Sequence, residues 1–158
     1  PNGKPVILPG HLWRDSHDFH TVASESQNAY YESLDKSVII PEQEDLYRAY
    51  SLRAAVPGNG FHLADEFGQK TYRFEVGANG RLMNPKLIAE EGELDVAVDE
   101  NGNVYVAAGN IFVYDKSGHP MGEITVPERP ATLVFGGSDR KTLYMTARSS
   151  LYRIRLKD

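Results

Sequence analysis

The sequence predicts an all-β fold, a β-propeller of which this chain carries about four blades. Three observations predict it. Apolar residues alternate with polar ones in short runs, the period of a strand with two distinct faces. The runs are divided by turns rich in Gly, Asn and Ser. The pattern also repeats: FHLAD, VYVAA and LYMTA start at residues 61, 104 and 143, so successive units are 43 and 39 residues apart. A period near forty with four short strands per unit marks a propeller blade. A plain β-sandwich or barrel also offers short strands and turns, but not this internal repeat.

The clearest unit begins at Leu94–Val98, where Leu94, Val96 and Val98 alternate with Asp95 and Ala97. Asn101-Gly102 turns the chain, because both residues tolerate positive φ. Val104–Ala107 follows, Gly109-Asn110 turns again, and Ile111–Tyr114 is the third strand. Lys116-Ser117-Gly118 leads to a fourth at Glu123–Val126. Downstream, Ala131–Phe135, Thr142–Thr146 and Leu151–Leu156 give three strands and then the chain stops. Upstream, Ser51–Ala55, Phe61–Ala64, Thr71–Val76 and Leu87–Ala89 give four. The expected division is therefore an irregular lead-in at 1–16, a faint blade at 17–50, blades at 51–90 and 91–127, and a last three-stranded blade at 128–158. A missing fourth strand suits a ring fastened by a strand from its other end. On this reading the remaining blades of the protein precede Pro1.

Composition sets limits on partners. Net charge is −5 with no basic stripe, so nucleic acid is not an expected partner. No apolar run reaches the roughly 18 residues of a membrane span. The absence of cysteine excludes disulfides and thiolate metal sites, and names no compartment.

The runs VDENGNVYVA and VPERPATLVFGGSDRKTLYMTARSSLYRIRL, with ADEFGQKTYRFEVGANGRL before them, resemble the gluconolactonase and regucalcin-like family from about Ser51 to Leu156. The resemblance implies a six-bladed ring that opens sugar lactones or similar small esters. It also implies a divalent cation such as Ca²⁺, held at the starts of the innermost strands by oxygen ligands. Such a cation would polarise the carbonyl while a carboxylate activates water. Carried over by position, Leu94 stands where the family has an acid, flanked by Glu93 and Asp95. Tyr50-Ser51-Leu52 stands where it has Asn-Gly, and His17-Asp18 where it has Asn-Asp. A one-residue slip along a strand turns a side chain to the other face, so Asp95 does not simply replace an acid at 94.

The candidate residues are Glu93 and Asp18 for catalysis, Asp18, Glu93 and Asp95 for the metal, and His17, His20 and Ser51 for a lactone or sugar-like ligand. Each has a plainer reading. His17 and His20 face opposite ways on a strand, one of them a packing residue. Glu93 and Asp95 can be solvated acids at a strand start. Asn59, Asn101 and Asn103 read as turn formers, Asp65-Glu66 as a solvated loop pair, and Tyr72, Tyr105, Tyr114, Tyr144 and Tyr152 as packing between sheets. The alternative to an enzyme is a propeller that binds a ligand or protein without the family's chemistry.

Overall fold

The structure is a computed structural model that describes residues 46–55, 58–78 and 80–157, together with the backbone of three strands before them. Those are β1 (Val6–Leu8), β2 (Ala29–Glu32) and β3 (Ile39–Gln43), an antiparallel sheet in the order β1-β2-β3. The stretch read as a lead-in therefore contributes a strand. His17, Asp18 and His20 lie outside the described residues.

A four-stranded antiparallel sheet follows, made of β4 (Ala49–Ala54), β5 (Gly60–Asp65), β6 (Lys70–Val76) and β7 (Leu82–Ala89). The next is β8 (Asp95–Val98), β9 (Val104–Ala108), β10 (Asn110–Tyr114) and β11 (Pro120–Ile124). The last has three strands, β12 (Pro130–Gly136), β13 (Thr142–Ala147) and β14 (Ser150–Arg155). Strands pair in sequence order within each sheet, as a meander does. The first strands of successive sheets adjoin, since β8 touches both β4 and β12. That is the radial arrangement of propeller blades, with inner strands side by side. Among the described residues there is no helix.

The turns show why the chain reverses where it does. Asp99 Oδ1 accepts the N–H groups of Asn101 at 2.9 Å and Asn103 at 2.8 Å, while Gly102 takes φ of 86°. Asp115 repeats the device with Ser117 and His119, and Gly118 takes φ of 92°. An aspartate three residues before a left-handed glycine is thus a repeated hairpin end. Boundaries moved by a few residues. Ala49 and Tyr50 belong to β4, and β7 begins at Leu82 because positive φ at Asn84 bulges it without ending it.

Two apolar layers lie between these sheets. Ala64, Ile88 and Ala89 pack against Val96, Val104, Val106 and Tyr114 between the two four-stranded sheets. Ala97, Tyr105, Ala107 and Ile111 pack against Leu133, Phe135, Leu143, Met145 and Ala147 before the last sheet. Tyr105 meets Phe135 edge to face at 5.0 Å, and Tyr152 packs on the same layer. Burying a side chain such as Leu133 or Leu143 is worth roughly 1.5–3 kcal/mol. A third layer, containing Leu63 and Phe74, covers the other face of the β4–β7 sheet.

Candidate functional site

The start of β8 is where the sequence places its acids, and the loop before it is firmly held. Thr71 Oγ1 donates to the Glu91 carbonyl at 2.7 Å, and Leu94 N donates to the Ala107 carbonyl at 3.1 Å. Gly92 sits against the backbone of Lys70 so closely that a Cβ would fall 2.0 Å from the Lys70 carbonyl oxygen. Only glycine lets the loop pass there.

Beside this loop opens a cleft of about 340 Å³, lined by Gln69, Glu90, Glu91, Glu93, Phe112 and Arg129 among others. Glu93 forms an ion pair with Arg129, which comes from the loop between β11 and β12. Glu91 accepts a hydrogen bond from the Tyr114 hydroxyl. Burial first, and then Glu91, push the Tyr114 phenol above its ordinary range. Carboxylates from the β7–β8 loop and one guanidinium from the β11–β12 loop thus share the rim of one opening.

Asp95 turns elsewhere. It is 2% exposed and both its oxygens are engaged. Oδ1 accepts Val96 N at 2.9 Å, while Oδ2 accepts Arg53 Nη2 and Leu133 N, each at 2.8 Å. Arg53 is in β4 and Leu133 in β12, so this carboxyl joins the inner strands of three successive sheets. Burial raises its pKa, opposed by Leu133, Arg53, Val96 and Ser51 in that order. Among the described residues Ser51 Oγ is buried beside it without a hydrogen bond of standard geometry. Leu94, in the family acid's position, is half-buried and offers no ligand atom.

The structure therefore brings Ser51 and Asp95 together at the inner strands and sets Glu93 at the cleft. Among the described residues no three His, Asp or Glu side chains gather as a metal-holding group. The sequence reading did not single out Arg53 or Arg129. For Arg53 the available signal is that it is the one charged residue of β4, AYSLRA, since a charge on a packed strand needs a partner. Asp65 is a correction. It is not a solvated loop acid but 2% exposed, accepting N–H groups from Tyr47 at 3.0 Å, Arg48 at 2.6 Å and Gly68 at 3.2 Å.

Comparison with known proteins gives the context. The family model described as SMP-30/Gluconolactonase/LRE-like region matches residues 5–149. No curated protein matches the chain. Among solved structures, a gluconolactonase from Xanthomonas campestris is 18% identical with a TM-score of 0.69, over 82% of this chain and 44% of that one. A calcium-binding protein, regucalcin, from Agrobacterium tumefaciens is 18% identical with a TM-score of 0.62, over 75% and 43%. Virginiamycin B lyase from Staphylococcus aureus is 12% identical with a TM-score of 0.60, over 98% and 60%. This chain thus spans less than half the length of the first two. At these identities the likeness shows the fold, and the fold is the one built above from its sheets.

Proposed function

The chain belongs to the SMP-30/gluconolactonase/LRE-like family, and from that premise we propose that the complete ring hydrolyses a sugar lactone or similar small ester. The observation that carries the reading is the family match over residues 5–149. The geometry of Glu93 and Arg129 at the cleft supports it. In this reading the Glu93 carboxylate takes the proton of a water attacking the lactone carbonyl. The neighbouring Arg129 guanidinium stabilises the charge that develops on the carbonyl oxygen. The carbonyl carbon–ring oxygen bond then breaks, and the ring oxygen receives a proton to give the open hydroxy acid. His17, His20 and Ser51 are proposed to contact the substrate, with Asp18 the second catalytic carboxylate.

A divalent cation, calcium among the candidates, belongs to the proposal because a calcium-binding regucalcin has a similar fold. The described residues alone do not fit one. Asp95 is taken up by Arg53, Leu133 and Val96, and Glu93 by Arg129. A cation held by Asp18, Glu93 and Asp95 would require these ion pairs to open.

The test is proton release on lactone opening by the full-length protein, with and without chelator, against Glu93→Gln. The expected loss in the variant is roughly 10²–10⁴-fold, the usual contribution of a positioned general base. A folded full-length ring that opens no sugar lactone, with calcium supplied, refutes the proposal. Lactone binding without turnover would then identify the non-catalytic module.

A further inference from the structure

The β4–β7 sheet carries a row of basic side chains, one on each strand. Arg53 is paired across the sheet with His62, His62 with Arg73, and Arg73 with Lys86. The row faces the β8–β11 sheet. Arg53 reaches Asp95, and Lys86 Nζ donates to the Ser117 carbonyl at 3.1 Å. Ala64, two residues beyond His62 on the same face, lies in the layer between the two sheets. Three guanidinium or ammonium groups and an imidazole are therefore set along one gap.

The opposing charge is small and lies at the ends. Asp95 meets the inner end through Arg53. Glu75 neighbours Arg73 on its strand but is exposed and accepts from Asn84 Nδ2 at 2.8 Å. The half-buried Arg73 has no ion pair or side-chain hydrogen bond among the described residues. His62 is 3% exposed, and its Nδ1 has no hydrogen-bond partner among the described residues. Burial, and then Arg73, lower its pKa to about 4, so at neutral pH the ring is uncharged and can donate one N–H. A buried ring nitrogen beside a half-buried guanidinium, neither with a partner among the described residues, is unusual. Gly58, in the turn after β4, lies against this guanidinium, where a Cβ would be 3.3 Å from Arg73 Nη2.

We propose that this row is a binding site for a small oxyanion, with Arg73 its principal contact, His62 a hydrogen-bond donor, and Arg53 and Lys86 its flanks. The shared chemistry fits the carboxylate of a hydroxy acid or inorganic phosphate. Guanidinium groups bind both through paired N–H bonds.

Isothermal titration of the full-length protein with gluconate and with inorganic phosphate, at ionic strength matched with sodium chloride, tests the proposal. The expected result is saturable binding of one anion per chain, weakened about tenfold in Arg73→Gln and partly regained in Arg73→Lys. The exposed Lys86→Gln, chosen to leave folding intact, is expected to weaken binding roughly threefold through loss of a flanking charge. Binding of gluconate only, of phosphate only, or of both identifies the source of the oxyanion and supports the site in each case. No saturable heat with either anion overturns it, as does unchanged affinity in Arg73→Gln. If Arg73→Gln does not fold, unchanged affinity in Lys86→Gln overturns it. Turnover is not read, so the result stands apart from the lactone proposal.

Discussion

Replacing Asp95 by alanine should weaken the fold far more than an average substitution. The side chain is 3% exposed and accepts three hydrogen bonds, from Arg53, Leu133 and Val96. Alanine would leave the buried Leu133 N–H without its acceptor, at roughly 1–3 kcal/mol. It would also break the pair with Arg53, whose side chain is 40% exposed, so solvent limits that loss to about 1 kcal/mol. Adding the Val96 N–H at about 1 kcal/mol gives a total of roughly 3–5 kcal/mol. For a chain of this length that is a fall in Tm of roughly 6–20 °C. Urea denaturation of Asp95→Ala, Arg53→Ala and the double variant measures both the total and the coupling between the two residues. If Asp95→Ala costs under about 1 kcal/mol, the reasoning fails. The same holds if Arg53→Ala alone costs as much, because the backbone contacts would then contribute nothing.

The other predictions rest on separate features. Gly92→Ala should destabilise by roughly 1–3 kcal/mol, because its Cβ would strike the Lys70 carbonyl; calorimetry of the variant checks this. Asp65→Ala, which frees three N–H groups, should cost roughly 2–4 kcal/mol and expose the segment around Tyr47 and Arg48 to amide exchange. His62 has its folded pKa lowered from 6.5 to about 4, so the unfolded chain binds the extra proton. Stability should fall by about 3 kcal/mol as pH drops from 6.5 to 4, and His62→Gln should flatten that window. Asp115 and Asp139 have folded pKa values of about 2 against 3.8. The first is held down by His119 and the second by Arg155, so their contribution is present above 3.8 and disappears toward pH 2.

How much of this was legible in the sequence depends on the range of each interaction. The strands from Ser51 onward were readable because alternation and turn chemistry are local. Asp99, Gly102 and Asn103 specify their hairpin end among themselves. The faint unit at 17–50 contains no glycine to make such a turn, and β1 could not be seen in Val6–Leu8 because three apolar residues carry no period. At the site, Glu93 and Asp95 were found as types but not as partners. Asp95 meets Arg53 across 42 residues and Leu133 across 38, and such matches are set by how blades stack. Asp65 was misread for a related reason. Its acceptors serve a loop 17 and 18 residues upstream, which no local pattern announces.

The last sheet ends at β14, which among the described residues has a neighbour on one side only. Its outer rim carries Arg153 and Arg155, with Leu151 71% exposed just before them. Two copies of this rim zipped together would bring two Arg153 side chains to one seam, Arg155 being paired with Asp139, and that repulsion disfavours self-templating. A segment with acidic or neutral residues at the matching places meets no such barrier.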